Sequence, residues 1–166
     1  MCVQRINGDV ETMFEILMFL FENYMDGSVI FKKDDEKIVI ELEKVGFDRY
    51  DIGRALHWLD GLAQCQTAFV TDTVMPHAFR YYIPIEEERL GVEGKGFLHY
   101  LERAGVLDPI TREIVIDRIM ALDPREVHLG RIKWVVLMVL FNQPDKKSAL
   151  SLMQDMVLAD AFDVLH

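Results

Sequence analysis

The stretch that most constrains this chain is residues 132–141, IKWVVLMVLF, which is apolar around the whole circumference of a helix. A helix without a polar face has to be surrounded by other elements. Its uninterrupted apolar block, 134–141, ends at Asn142 and Pro144, far short of the roughly 20 residues needed to cross a bilayer. It is therefore expected at the centre of a C-terminal core, and the rest of the chain has to supply the helices that cover it.

Those helices are announced by their punctuation. Asp108-Pro109 and Asp123-Pro124 each set a capping Asp before a first-turn Pro, so a helix is expected to begin at each, the second leading into 132–141. After Pro144, Asp145 can cap a last helix with an apolar stripe of Leu150, Met153, Val157, Ala161 and Leu165. Residues 84–90 and 93–104 read as two further helices, the second stopped by Gly105.

Upstream, Phe14, Leu17, Met18 and Phe21 recur at helical intervals over 13–24. Asp34 or Asp35 can cap a second helix, with Ile38, Leu42 and Val45 on one face and Gly46 as its stop. Asp48 then caps a third, lined by Ile52, Ala55, Leu56, Leu59 and Leu62. After Cys65 the pattern changes: 67–74 and 78–83 are rich in Thr, Val, Phe and Tyr, and Phe79, Tyr81 and Ile83 alternate with Arg80 and Tyr82. A short β-hairpin is expected there.

Helix, helix-turn-helix and hairpin is the order of a winged helix. The expected fold is thus mainly α: an N-terminal extension at 1–12, a winged-helix-like domain at 13–84, and a helical bundle at 85–166.

With 166 residues, the chain can bury roughly two thirds of its unfolded surface. Cys2 and Cys65 lie far apart without metal-ligand spacing, which excludes a disulfide framework and points to a reducing, cytoplasmic setting. The apolar part of the N-terminal run carries acids and leads to no small-residue cleavage site, so it is not a signal peptide. Net charge is -10, with 9 basic and 17 acidic residues at 1–91 against 9 and 11 beyond. Such a surface repels phosphate backbones and anionic lipids unless a local basic patch overcomes it.

The strings MFEILMFLFENY, ELEKVGF, DIGRALHWL, RYYIPIEEERL, GFLHYLE, REIVIDRIMAL and KWVVLMVLFNQP together resemble the Smg family of bacterial proteins, in consistent order from Met13 to the end of the chain. The resemblance implies no biochemical activity, and so carries no catalytic residue across. Members are often encoded beside DNA-processing and topoisomerase genes, which hints at DNA transactions by association only. The first twelve residues depart from the pattern, so either they are an extension or translation begins at Met13.

The motifs that invite chemistry have simpler explanations. Gly91-Val92-Glu93-Gly94-Lys95-Gly96 lacks the spacing of a phosphate loop and has Gly96 where that loop needs a hydroxyl, so a flexible lead-in to a helix is expected. No two of His57, His77, His99, His128 and His166 have the spacing that puts a pair of ligands on one helix face, and neither metal nor cofactor is expected. Cys65 near a helix C-terminus is expected to be a buried, inert thiol. Glu86, Glu87 and Glu88 complement a helix dipole and are expected to be a solvated first turn.

These readings leave a non-enzymatic adaptor that binds a protein partner, with no membrane association. Its expected contact is the third helix around Arg54, His57 and Trp58, since Arg and Trp are common interface anchors when exposed together. The alternative is nucleic-acid binding, which would need Arg49, Arg54 and Arg80 to converge on one face despite Asp48, Asp51 and Asp60. An enzyme would demand a pocket between the domains, assembled from scattered residues such as His99, Glu102 and Arg112.

Overall fold

The computed structural model describes residues 12–24, 36–68, 80–143 and 147–163. Among these, the elements are α1 (Thr12–Tyr24), α2 (Glu36–Val45), α3 (Arg49–Ala68), α4 (Pro84–Arg103), α5 (Pro109–Met120), a 3-10 turn (Pro124–Glu126), α6 (Leu129–Phe141) and α7 (Lys147–Asp163). The chain divides into two compact units, Met1–Gly61 and Leu62–His166, the division falling within α3.

In the first unit, α1 buries Met13, Phe14, Ile16, Leu17 and Leu20, a stripe one turn wide repeated at helical spacing. α2 is held by a narrower stripe, Ile38 and Leu42. Its end is a glycine stop: Gly46 sits at φ 110°, its N–H donates to the carbonyls of Leu42 and Glu43, and Phe47 N–H also reaches Leu42. That left-handed conformation strains any side chain with a Cβ. The Phe47 ring meets Phe19 of α1 edge-on, with centroids 6.0 Å apart. Asp48 then caps α3, its carboxylate accepting the N–H of Tyr50 at 2.9 Å.

The second unit is built around α6, where Ile132 and Val135, Val136, Leu137, Met138, Val139 and Leu140 are all buried. α4, α5 and α7 pack on it, and α4 also packs on α5. The apolar run that opened the sequence argument therefore lies at the centre of this unit. Asp108 caps α5, its carboxylate accepting Thr111 N–H at 2.7 Å ahead of Pro109. Asp123-Pro124 begins only a single 3-10 turn; α6 starts afresh at Leu129.

Two further expectations are corrected. The winged helix with its β-hairpin is not formed: the described residues contain no strand. Thr67 and Ala68, expected in the first strand, complete α3. Residues 80–83, expected to end the second, form neither helix nor strand, with Ile83 in the extended region (φ -74°, ψ 156°), and lead into α4, while 69–79 lie outside the described residues. The alternation of Tyr81 and Ile83 with Arg80 and Tyr82 has another cause, given below. The second correction concerns 91–96, which is not a loop: helix continues on both sides of a kink at Gly91, with φ 63° and ψ -178°.

Candidate functional site

The extended segment Arg80, Tyr81, Tyr82 and Ile83 lies across α4 and α5 of the second unit, fastened by its even-numbered side chains. Arg80 donates from Nη1 and Nη2 to the two carboxylate oxygens of Glu86 at 2.6 and 2.9 Å. It also donates from Nε and Nη2 to Glu113 on α5, both at 3.0 Å. A guanidinium presents its donors in a planar fork, so one arginine can hold two carboxylates in fixed directions. The Tyr82 ring lies beneath the Arg80 guanidinium, 4.9 Å from carbon to centroid.

Glu113 is shared. It also accepts from Arg112 at 3.0 Å, and Arg112 reaches Glu102 on α4 at 3.1 Å while only 7% of its side chain is exposed. Two guanidiniums and three carboxylates thus form a chain of charge from the extended segment into the α4–α5 interface. Glu86 additionally accepts the Ile83 N–H at 3.1 Å, satisfying a free amide at the start of α4 where the cap residue, Ile83, has no side-chain oxygen. Of the three glutamates expected to be one solvated turn, Glu86 is thus enclosed, with 12% of its side chain exposed.

The electrostatics follow. The bonds from Arg80 hold the Glu86 carboxyl below its ordinary range against the opposing effect of burial. The bond to Glu86 likewise raises the already high Arg80 pKa. Burial pushes the Tyr82 hydroxyl up, and Glu102 adds to this while Arg80 and Arg112 oppose it.

With Arg80 and Tyr82 turned inward, alternation along an extended chain turns Tyr81 and Ile83 outward. Tyr81 is 92% exposed, Ile83 56%, and Ile85 in the first turn of α4 54%. Three large apolar side chains within five residues of a rigidly held segment are an unusual thing for a surface to carry. The acids Glu87, Glu88 and Glu93, all exposed, continue from them.

The residues singled out in sequence are distributed differently. Arg49, Arg54, His57 and Trp58 all lie on α3 in the first unit, whereas Arg80 belongs to the second. Arg49 stands 3.7 Å from Glu43 and Arg54 3.7 Å from Asp51. His57 is exposed, but Trp58 is only 3% exposed and offers no indole surface to a partner. Glu102 and Arg112, named as scattered members of an enzyme pocket, are joined as an ion pair, while His99 is exposed on α4. Tyr81, Ile83, Ile85, Glu86 and Glu113 were not read as site residues. The signal for Tyr81 and Ile83 was present in RYYIP, as the alternation that was taken for a strand.

Elsewhere in the second unit, the Cys65 thiol donates to Asp117 at 3.2 Å. Its pKa is raised by burial first and by that bond second. Among the described residues, no three His, Cys, Asp or Glu side chains are grouped so as to hold a metal ion, and no helix is long and apolar enough to cross a membrane.

The class of protein is thus a mainly helical one whose polar centre is a clasp of paired charges holding an apolar strip outward. Comparison with known proteins places it more closely. Residues 13–166 match the family described as "Protein of unknown function (DUF494)". The chain is 41% identical to the "Protein Smg homolog" of Nitrosococcus oceani, covering 94% of this chain and 99% of that one. It is 45% identical to the protein of the same name from Shewanella piezotolerans and 41% identical to that of Vibrio cholerae, over 93% of this chain and 99% of each relative. No solved structure matches the chain. The chain belongs to the Smg family.

Proposed function

We propose that this chain is a cytoplasmic, non-enzymatic adaptor that works by docking a protein partner, and that the docking surface is the strip Tyr81, Ile83 and Ile85 of the second unit. The observation that carries this reading is the exposure of those side chains on a segment whose alternate residues, Arg80 and Tyr82, are fastened from behind. A strip held in place before binding loses little conformational freedom on association, which is where affinity is usually lost. Tyrosine is also among the residues that anchor interfaces.

Protein is favoured over nucleic acid because the three arginines that would have to meet phosphate each stand beside a carboxylate: Arg49 by Glu43, Arg54 by Asp51, and Arg80 by Glu86 and Glu113. The pathway we assign, DNA processing, rests on the genomic company of the family alone and is tested by the partner's identity. A photo-cross-linking amino acid placed at Tyr81, and separately at exposed Leu152 on α7 for comparison, is expected to give one dominant protein adduct in living cells from position 81 and none from 152. An adduct with nucleic acid, or equal labelling from both positions, overturns the reading.

A further inference from the structure

We infer that the partner presents to this strip a cationic–apolar segment: apolar side chains set along an extended backbone, flanked by lysine or arginine. This rests on the reading of the strip as a protein-docking surface and adds the chemistry of what lies on it.

Three observations argue for it. The first is shape. Tyr81 and Ile83 are two residues apart just ahead of α4, roughly 7 Å at the rise of a strand, and Ile85 follows in the first turn of the helix. A partner segment lying alongside meets Tyr81 and Ile83 with apolar residues at the same two-residue spacing.

The second is charge. Over 81–93 the chain carries Glu86, Glu87, Glu88 and Glu93 against the single base Arg89. Arg89 is turned away from this role, donating from Nη1 to the carbonyls of Met120 and Leu122 at 3.1 and 2.8 Å. Glu86 is occupied by Arg80, while Glu87 keeps 53% of its side chain exposed beside Lys95, and Glu88 and Glu93 are exposed. The exposed acids lie next to the apolar residues in the chain, so bases are expected next to the apolar residues of the partner segment. A chain of net charge -10 repels a second copy of itself and other acidic surfaces, whereas it steers a cationic segment towards this end of α4.

The third is the backbone. The Tyr81 carbonyl accepts from Arg80 Nη1 at 2.7 Å, the Ile83 N–H donates to Glu86, and the Ile83 carbonyl accepts from the N–H groups of Glu86 and Glu87. Those groups would form the ladder on one edge of the segment, and they are already used. At that edge recognition therefore runs through side chains, so the chemistry of the partner's side chains decides binding there rather than strand addition.

The test uses the full-length protein and two fluorescein-labelled synthetic peptides of equal length, one with three alternating Val residues followed by four Lys, the other with Glu in place of Lys. Fluorescence anisotropy is expected to show saturable binding of the lysine peptide and none of the glutamate peptide. The Tyr81→Ser, Ile83→Ser double variant, checked for an unchanged circular dichroism spectrum, is expected to weaken binding about ten-fold or more. Glu88→Lys, Glu93→Lys is expected to weaken it comparably. If neither peptide binds, or if the lysine peptide binds the serine variant as well as the parent, the inference is overturned, the latter result meaning plain attraction to an acidic protein. If the cross-link from position 81 captures a protein through a segment lacking Lys and Arg, the docking surface stands and the assigned chemistry falls.

Discussion

Arg54 with Trp58 on α3, and Arg80 with Tyr81 in the extended segment, pair the same kinds of residue and put them to opposite use. On α3 the arginine lies at the margin of the surface near Asp51 while the aromatic is buried; in the segment the arginine is sunk between two carboxylates and the aromatic stands out. The difference is the period of the backbone. In a helix, Trp58 shares its face with Ala55, Leu59 and Leu62, all buried, so it follows them inward. In an extended chain, neighbours face opposite ways, so anchoring Arg80 and Tyr82 turns Tyr81 out. Residue type alone does not say which aromatic is available to a partner.

The sharpest way to break this comparison is to truncate both aromatics. Trp58→Ala removes a buried side chain and is expected to cost about 3–5 kcal/mol. Tyr81→Ser is expected to change stability by no more than about 0.5 kcal/mol, as surface changes do, while abolishing the cross-linked adduct formed from a probe at neighbouring Ile83. Urea denaturation measures the first difference. Similar losses from both would mean that the exposure of Tyr81 is not that of the protein in solution.

A second comparison sets the two ends of the charge chain against each other. Arg112→Ala leaves Glu102 and Glu113 without their enclosed partner and is expected to cost about 3 kcal/mol. Arg80→Ala is expected to cost less overall but to speed amide exchange selectively at Tyr82 and Ile83, since it unfastens the segment rather than the α4–α5 interface. Hydrogen exchange followed by mass spectrometry separates the two, and uniform acceleration in both variants would refute the division of labour.

Much of the helical framework was legible because its signals are local. Asp48, Asp108-Pro109 and Pro84 each stand at a helix start, and the all-apolar 132–141 run is central to its unit. The hairpin was misread because alternation with period two records an extended chain without recording what the chain pairs with; a sheet and a side-chain clasp produce the same pattern. The clasp itself was illegible for a different reason. Arg80 and Glu113 are 33 residues apart, and nothing in either neighbourhood names the other. Glu86 could not be told from Glu87 and Glu88 until its pairing with Arg80 separated an enclosed carboxylate from two solvated ones.

That separation has a pH signature. The carboxyl of Glu86 is held below its ordinary value in the folded protein, chiefly by Arg80. Its contribution to stability is therefore complete above the pKa it has in the unfolded chain, and is lost as pH falls through the lower folded value. Glu86→Gln is expected to reduce the loss of stability on acidification over that window. Denaturation midpoints measured from neutral pH downward decide it, and an acid limb identical to that of the parent would mean that Arg80 does not hold Glu86 in solution.

The smallest effects test the backbone argument most directly, at two glycines of α4. Gly91 holds φ 63° at the kink with open space where a Cβ would stand, so Gly91→Ala should be penalised by conformation and not by crowding. A cost of about 1–3 kcal/mol is expected from this conformation alone, positive φ with ψ near 180° being essentially confined to glycine. Gly96 lies in the helix beyond, also with open space around it, and Gly96→Ala is expected to stabilise by about 0.5–1 kcal/mol, because alanine loses less freedom on entering a helix. The same substitution five residues apart in one element should therefore change sign. If both variants are stabilised, α4 runs straight through residue 91, and Glu93, beyond the kink, stands elsewhere relative to the apolar strip, which then keeps only Glu87 and Glu88 as its acidic continuation.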